Sequence, residues 1–217
     1  MPTTAQYACW FAGILAELLV VIFSLSLGLF RKYLALNLYM ATCVIVSLLR
    51  FYVLTVHSFE SEAYRYLYFY SDCALTIVLY LFVLSLFLSL TDNPQTKKKI
   101  TVGLLFVLGF TALFTYDAVN LSSARIFTHF AYELSQNLFF VGLPLSFLLL
   151  GLAIKKRAET KVVLQLSFLL ALCFGSYAVS YGLSNSHNYL ELNHFVTNIG
   201  LLFPLGTAYV IADASES

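Results

Sequence analysis

Arg50, Asp72 and Glu133 are the residues best placed to do chemistry, because each lies inside a long apolar stretch. An ionisable group there is costly and needs a charged partner or a wet cavity. Arg50 lies about six residues before the end of its stretch, Asp72 about eight and Glu133 about seven residues after the start of theirs. If the stretches run up and down as helices, the three share one layer. A guanidinium facing carboxylates can lock helices together as an ion pair, or it can orient a small polar or amphipathic ligand. Both readings stay open for Arg50 with Asp72 or Glu133.

The polar residues around them reinforce the layer. His129, Tyr132, Glu133, Gln136 and Asn137 are spaced three, four, seven and eight residues from the first, which places all five on one helical face. Glu191, His194 and Asn198 repeat the pattern near the C-terminal end, and Ser176, Tyr177, Ser180 and Tyr181 precede them. All four histidines (His57, His129, His187, His194) fall toward the same side. The other half holds Ser, Thr and isolated amides such as Asn37 and Gln165. The expectation is a polar chamber on one side of the protein, closed toward the other. Glu17, midway through the first stretch, is either a partner for another helix or a protonated acid.

The elements that must position these groups follow from composition. Of 217 residues, 60% are hydrophobic and 11% charged, against roughly 25% charged in an ordinary soluble domain. Seven apolar windows are legible, at about 7–30, 33–56, 64–90, 99–116, 126–153, 162–183 and 191–212. Each approaches the ~20 residues that a helix needs to cross a bilayer core. They lack the alternation of barrel strands, so the predicted fold is all-α: one polytopic membrane domain over 1–217 with seven transmembrane helices. The fourth window is the shortest. Thr91-Asp92-Asn93-Pro94 is a turn signal in the third connection.

Basic residues alternate with acidic and amide ones from connection to connection. Arg31 and Lys32 follow the first window, Lys97, Lys98 and Lys99 the third, and Lys155, Lys156, Arg157 and Lys161 the fifth. Glu60, Glu62, Asp117, Asn185, Ser186 and Glu191 mark the opposite side, with only Arg65 and Arg125 as basic residues there. The positive-inside rule then predicts an outer N-terminus and a cytoplasmic C-terminus, and puts the polar chamber in the outer half. Without a basic n-region or a small-residue cleavage site, the first window reads as a retained span rather than a signal peptide.

Several classes of function fit poorly. A net charge of +1 offers no field for nucleic acid. Cys9, Cys43, Cys73 and Cys173 lie inside apolar windows without metal-type spacing, so neither a disulfide framework nor a zinc cluster is expected. A retinal Schiff base needs a lysine in the last window, which has none. Alkaline ceramidases and progestin-receptor-type proteins carry an HxxxH zinc pair on their last helix. Here the matching stretch is His194-Phe-Val-Thr-Asn198, so one ligand is missing. A channel would show polar groups through its full depth. The tyrosines at 64, 66, 68 and 70 read first as an interfacial belt, with contact to lipid, pigment or quinone as the residual option. No cofactor is predicted.

Three functions remain. The first is a non-catalytic protein that binds or senses a small ligand. The second is an accessory subunit assembled with other membrane proteins, and the third a membrane-embedded metal hydrolase. The Arg31-Lys32 break, the Leu48-Leu49-Arg50 run and the following Tyr64-Arg65-Tyr66-Leu67-Tyr68-Phe69-Tyr70 stretch resemble uncharacterised seven-span proteins of acidobacteria. That resemblance covers the first three windows. It implies a bacterial inner-membrane location and carries no functional residue with it.

Overall fold

A computed structural model describes residues 4–58, 61–120, 126–156, 161–183 and 202–214. These residues form seven helices: α1 (Thr4–Ser26), α2 (Leu34–His57), α3 (Glu62–Ser89), α4 (Pro94–Asn120), α5 (Ile126–Lys156), α6 (Lys161–Leu183) and α7 (Leu202–Asp213). The first six are long and apolar enough to cross a membrane. The last predicted window is described only from 202, as a shorter apolar helix, and its first half lies outside the described residues.

Local chemistry sets the helix ends. After α1 the Gly28 amide bonds the Leu25 carbonyl and the Leu29 amide bonds that of Ser24. Gly28 sits at φ 69°, so this is a Schellman cap, which needs a residue that tolerates the left-handed conformation. The Ser61 side chain accepts from the Tyr64 amide and starts α3. Asn93 Oδ1 accepts from the Gln95 amide at 2.9 Å, and Pro94 takes the first helical position of α4, where a missing N–H costs nothing.

That cap corrects one expectation. The fourth element is not the shortest: α4 has 27 residues and outruns α1, α2 and α6. An apolar window records only the stretch that tolerates hydrocarbon, whereas the helix begins at its cap and carries Lys97, Lys98 and Lys99 in its first turns. The turn expected at Thr91-Asp92-Asn93-Pro94 is present.

Successive helices run antiparallel. On the first pair, Ser24 meets Asn37 while Trp10 and Phe11 meet Phe51; on the fifth and sixth, Phe139 packs on Phe174 and Tyr132 on Tyr181. Helices α2, α3, α5 and α6 form the centre, with α1 against α2 and α4 against α3 and α5. Helix α7 reaches α2 through Phe203 and Tyr39, whose ring centroids are 6.0 Å apart, and it meets α6 where Gly206 faces Leu169. Large buried side chains such as Tyr80, Phe82, Leu138, Leu170 and Phe174 fill the core.

The outward surface is apolar. Phe106, Phe110, Leu113 and Phe114 of α4 are each 59% or more exposed. In water a patch of that kind would be an aggregation site; toward hydrocarbon it is the solvated state. One end of the bundle gathers salt bridges, Lys156 to Asp92 at 3.1 Å and Lys161 to Asp213 at 2.8 Å. This basic face ties α5 to the α3–α4 connection and α6 to α7. Arg50 and Asp72 lie toward the opposite, far face.

Asn37 is the main polar staple of the first hairpin. Its Nδ2 donates to Ser24 Oγ (2.7 Å), the Tyr33 carbonyl (3.0 Å) and the Phe30 carbonyl (3.2 Å), and the residue is fully buried. Asn37→Leu is expected to cost about 1–3 kcal/mol, because it strands buried acceptors away from water. Thermal unfolding in detergent checks this, with half-buried Thr42→Val, whose hydroxyl bonds the carbonyl of Leu38 in its own helix, as a near-neutral control.

Candidate functional site

The helices bring Arg50 of α2 to Asp72 of α3. Arg50 Nη2 lies 3.6 Å from Asp72 Oδ1, and both side chains are largely buried, at 14% and 18% exposure. At that separation the contact is an ion pair rather than a hydrogen bond. The hydrogen bonds go elsewhere. Arg50 Nε donates to Ser71 Oγ (2.9 Å) and Nη2 to the Tyr68 carbonyl (3.0 Å). The guanidinium carbon also sits 4.3 Å from the centroid of the Tyr68 ring, within cation–π range. Among the described residues Nη1 makes no hydrogen bond or ion pair, so within them two N–H donors of the guanidinium stay uncommitted.

Asp72 is shared by three helices. Its Oδ2 accepts from the Tyr181 hydroxyl at 2.8 Å, which brings in α6. The Thr76 hydroxyl donates to the Asp72 backbone carbonyl at 2.8 Å. Around this point lies an aromatic cluster. Tyr132 packs edge-on against Tyr181 and Phe69, with centroids 5.5 and 5.8 Å away. Phe139 stacks on Tyr177 at 4.5 Å and on Tyr181 at 5.8 Å. On the basic-face side of Asp72, a cavity of about 30 Å³ is lined by Tyr39, Asp72, Leu75, Thr76, Leu79, Phe139 and Tyr177.

The other expected members of the layer are distributed differently. Of the two carboxylates open to Arg50, Asp72 makes the pair, while Glu133 turns to His129 of its own helix, Oε1 to Nε2 at 3.3 Å. The helical spacing of four makes that pair local, and partial exposure of both groups makes it weak. Asn137 faces away from the cluster and donates from Nδ2 to Thr115 Oγ1 at 2.9 Å, tying α5 to α4. Gln136 and Ser180 are half-buried with no side-chain hydrogen bond among the described residues. His194 and Asn198, like His187 and Glu191, lie outside the described residues. Glu17 Oε2 is buried and has no hydrogen-bond partner among the described residues. No group of three or more potential metal ligands occurs among the described residues.

Three contributors had weak signals in the sequence. Ser71 is the neighbour of Asp72, and Thr76 is one turn along the same helix; hydroxyls this common in apolar helices do not stand out. Tyr39 sits near the opposite end of α2 from Arg50, and only the packing of α2 on α3 brings it beneath Asp72.

Six spanning-length helices with a lipid-compatible surface and an interhelical ion pair inside define an all-helical, polytopic integral membrane protein. Comparisons with protein-family models, curated proteins and solved structures give no match to this chain.

Proposed function

We propose that this is a non-catalytic, seven-span protein that binds or senses a small polar or amphipathic ligand in its outer half. The basic face is then cytoplasmic, the N-terminus is outside and the C-terminus inside. The resemblance of the first three spans favours a bacterial inner membrane. The observation that carries the reading is the Arg50 guanidinium, which is held by Ser71, Tyr68 and Asp72 yet has no partner for Nη1 among the described residues. A ligand acceptor atom docking there would compete with the Arg50–Asp72 contact that ties α2 to α3. Such a ligand shifts helix packing only by the difference between its affinities for the two arrangements.

Native mass spectrometry of the protein released gently from membranes tests the proposal. Wild type and a Lys156→Ala control should both carry the same bound small mass, and Arg50→Gln should lose it. Arg50→Gln retaining that mass, or wild type carrying none, would remove the ligand from this site. A second reading, an accessory subunit of a larger complex, would seat a partner on the exposed Phe106, Phe110 and Phe114 of α4, a surface that lipid also satisfies. It expects a stoichiometric protein partner in mild detergent, whose loss follows substitution of those three phenylalanines.

A further inference from the structure

The cavity beneath Asp72 is built from four helices: Tyr39 from α2, Asp72, Leu75, Thr76 and Leu79 from α3, Phe139 from α5 and Tyr177 from α6. Its walls are mixed. Leu75, Leu79 and Phe139 offer nothing to hydrogen-bond, but a carboxylate and two phenol groups border the same space. We propose that it is an internal hydration site, holding ordered water that bridges Asp72 to the tyrosines of α2 and α6.

Size, polarity and charge each support this occupant. A single water needs roughly 10–15 Å³ of this kind of volume, so about 30 Å³ takes one or two waters and excludes a metabolite. Persistently dry cavities are apolar, whereas a water is retained where it finds two to four polar partners. The lining supplies acceptor lone pairs on Asp72 and on the Tyr39 hydroxyl, whose proton is directed to Cys43, and a donor on Tyr177. A small cation is the competing occupant for a carboxylate-lined space. It is disfavoured because the Arg50 guanidinium, 3.6 Å from the same carboxylate, already balances that charge. A neutral molecule that both donates and accepts fits what remains.

The site would complete a ladder. Above Asp72, an ion pair runs to Arg50 of α2 and a direct hydrogen bond to Tyr181 of α6. Below it, water joins the same three helices through Tyr39, Asp72 and Tyr177. Water-mediated bonds are enthalpically close to direct ones, and they can re-form at a different geometry. The lower rung therefore lets α2 and α6 shift against α3 without stranding a buried polar group. This inference concerns the cavity alone and stands whether or not the outer half takes a ligand.

X-ray hydroxyl-radical footprinting of the full chain in lipid nanodiscs tests it, because radicals made from a bound water mark the side chains beside it. Tyr80 is the control: it is 2% exposed, and its hydroxyl donates toward the Leu104 carbonyl. Tyr39, at 9% exposure, should be modified severalfold faster than Tyr80. Leu79→Phe, which fills the cavity from α3, should bring Tyr39 down to the Tyr80 rate. Tyr39 reacting no faster than Tyr80 in wild type overturns the proposal, and so does an unchanged Tyr39 rate in a folded Leu79→Phe protein. If that variant fails to accumulate, the wild-type comparison decides alone. Loss of bound small mass in Arg50→Gln has no bearing on these rates, so the two proposals fail separately.

Discussion

Asp72→Leu is expected to be the most damaging single substitution in the protein, costing about 3–5 kcal/mol, the range for breaking one side of a buried ion pair. The guanidinium of Arg50 cannot shed its proton, so without Asp72 it stays charged in a largely buried position. Ser71 Oγ and the Tyr68 carbonyl would still accept from it, but neither neutralises it. Arg50→Met should cost less, because the stranded Asp72 can take up a proton and keeps the Tyr181 hydroxyl as a partner. The paired Arg50→Met/Asp72→Leu protein should recover most of the loss, since apolar replacement of a whole buried pair is often neutral. Reversible unfolding in mixed micelles gives all three values. Equal stability of Asp72→Leu and wild type would mean that the ion pair contributes nothing.

The same series separates the two roles open to the layer. If the double variant regains stability but carries no bound mass, the pair serves a ligand as well as the fold. If wild type and double variant are indistinguishable in every respect, the pair is structural and the binding proposal loses its support.

Gly142→Ala is the second large effect expected, and its sign runs against local propensity. Within a helix, alanine is favoured over glycine by roughly 0.5–1 kcal/mol, so α5 alone would gain. The packing opposes it. A Cβ at Gly142 would lie 2.7 Å from Cζ of Phe174 and closer still to Cδ1 and Cε1. Phe174 is fully buried and packed against Phe139, so its ring has little room to yield. Overpacking of this kind costs about 1–3 kcal/mol, enough to outweigh the propensity. Gly151→Ala, on the same helix with nothing within 4 Å of the new Cβ, should be neutral or stabilising. Adding Phe174→Leu to Gly142→Ala should restore much of the loss. A Gly142→Ala protein that melts above wild type would refute the close approach of α5 to α6.

The two glycines show where sequence reading stops. Gly142 and Gly151 are equivalent as residues on one apolar helix, and only the position of Phe174, 32 places along the chain, distinguishes them. The layer behaves the same way. Depth counting put Arg50, Asp72 and Glu133 together because helix rise converts residue number into height. Height leaves azimuth unspecified, so it did not decide which carboxylate meets the guanidinium. The azimuth of α5 points Asn137 to Thr115 and leaves Glu133 with His129 of its own helix, so Asp72 is the partner.

The sequence by itself determined the class of protein, the spanning length of its long helices and the placement of Arg50, Asp72, His129 and Glu133 toward one end of the bundle. Hydrocarbon imposes length and polarity rules that can be read one residue at a time. Even the helix that exceeded its window had its start written in Asn93-Pro94. The tertiary structure alone decided the pairings: Arg50 with Asp72, Tyr181 from α6 on the same carboxylate, and Tyr39 and Tyr177 around a cavity beneath it. The Tyr181–Asp72 bond alone joins residues 109 positions apart. The pairings depend on which faces of uniformly apolar helices turn toward one another, and the polar pattern along each helix leaves that choice to packing.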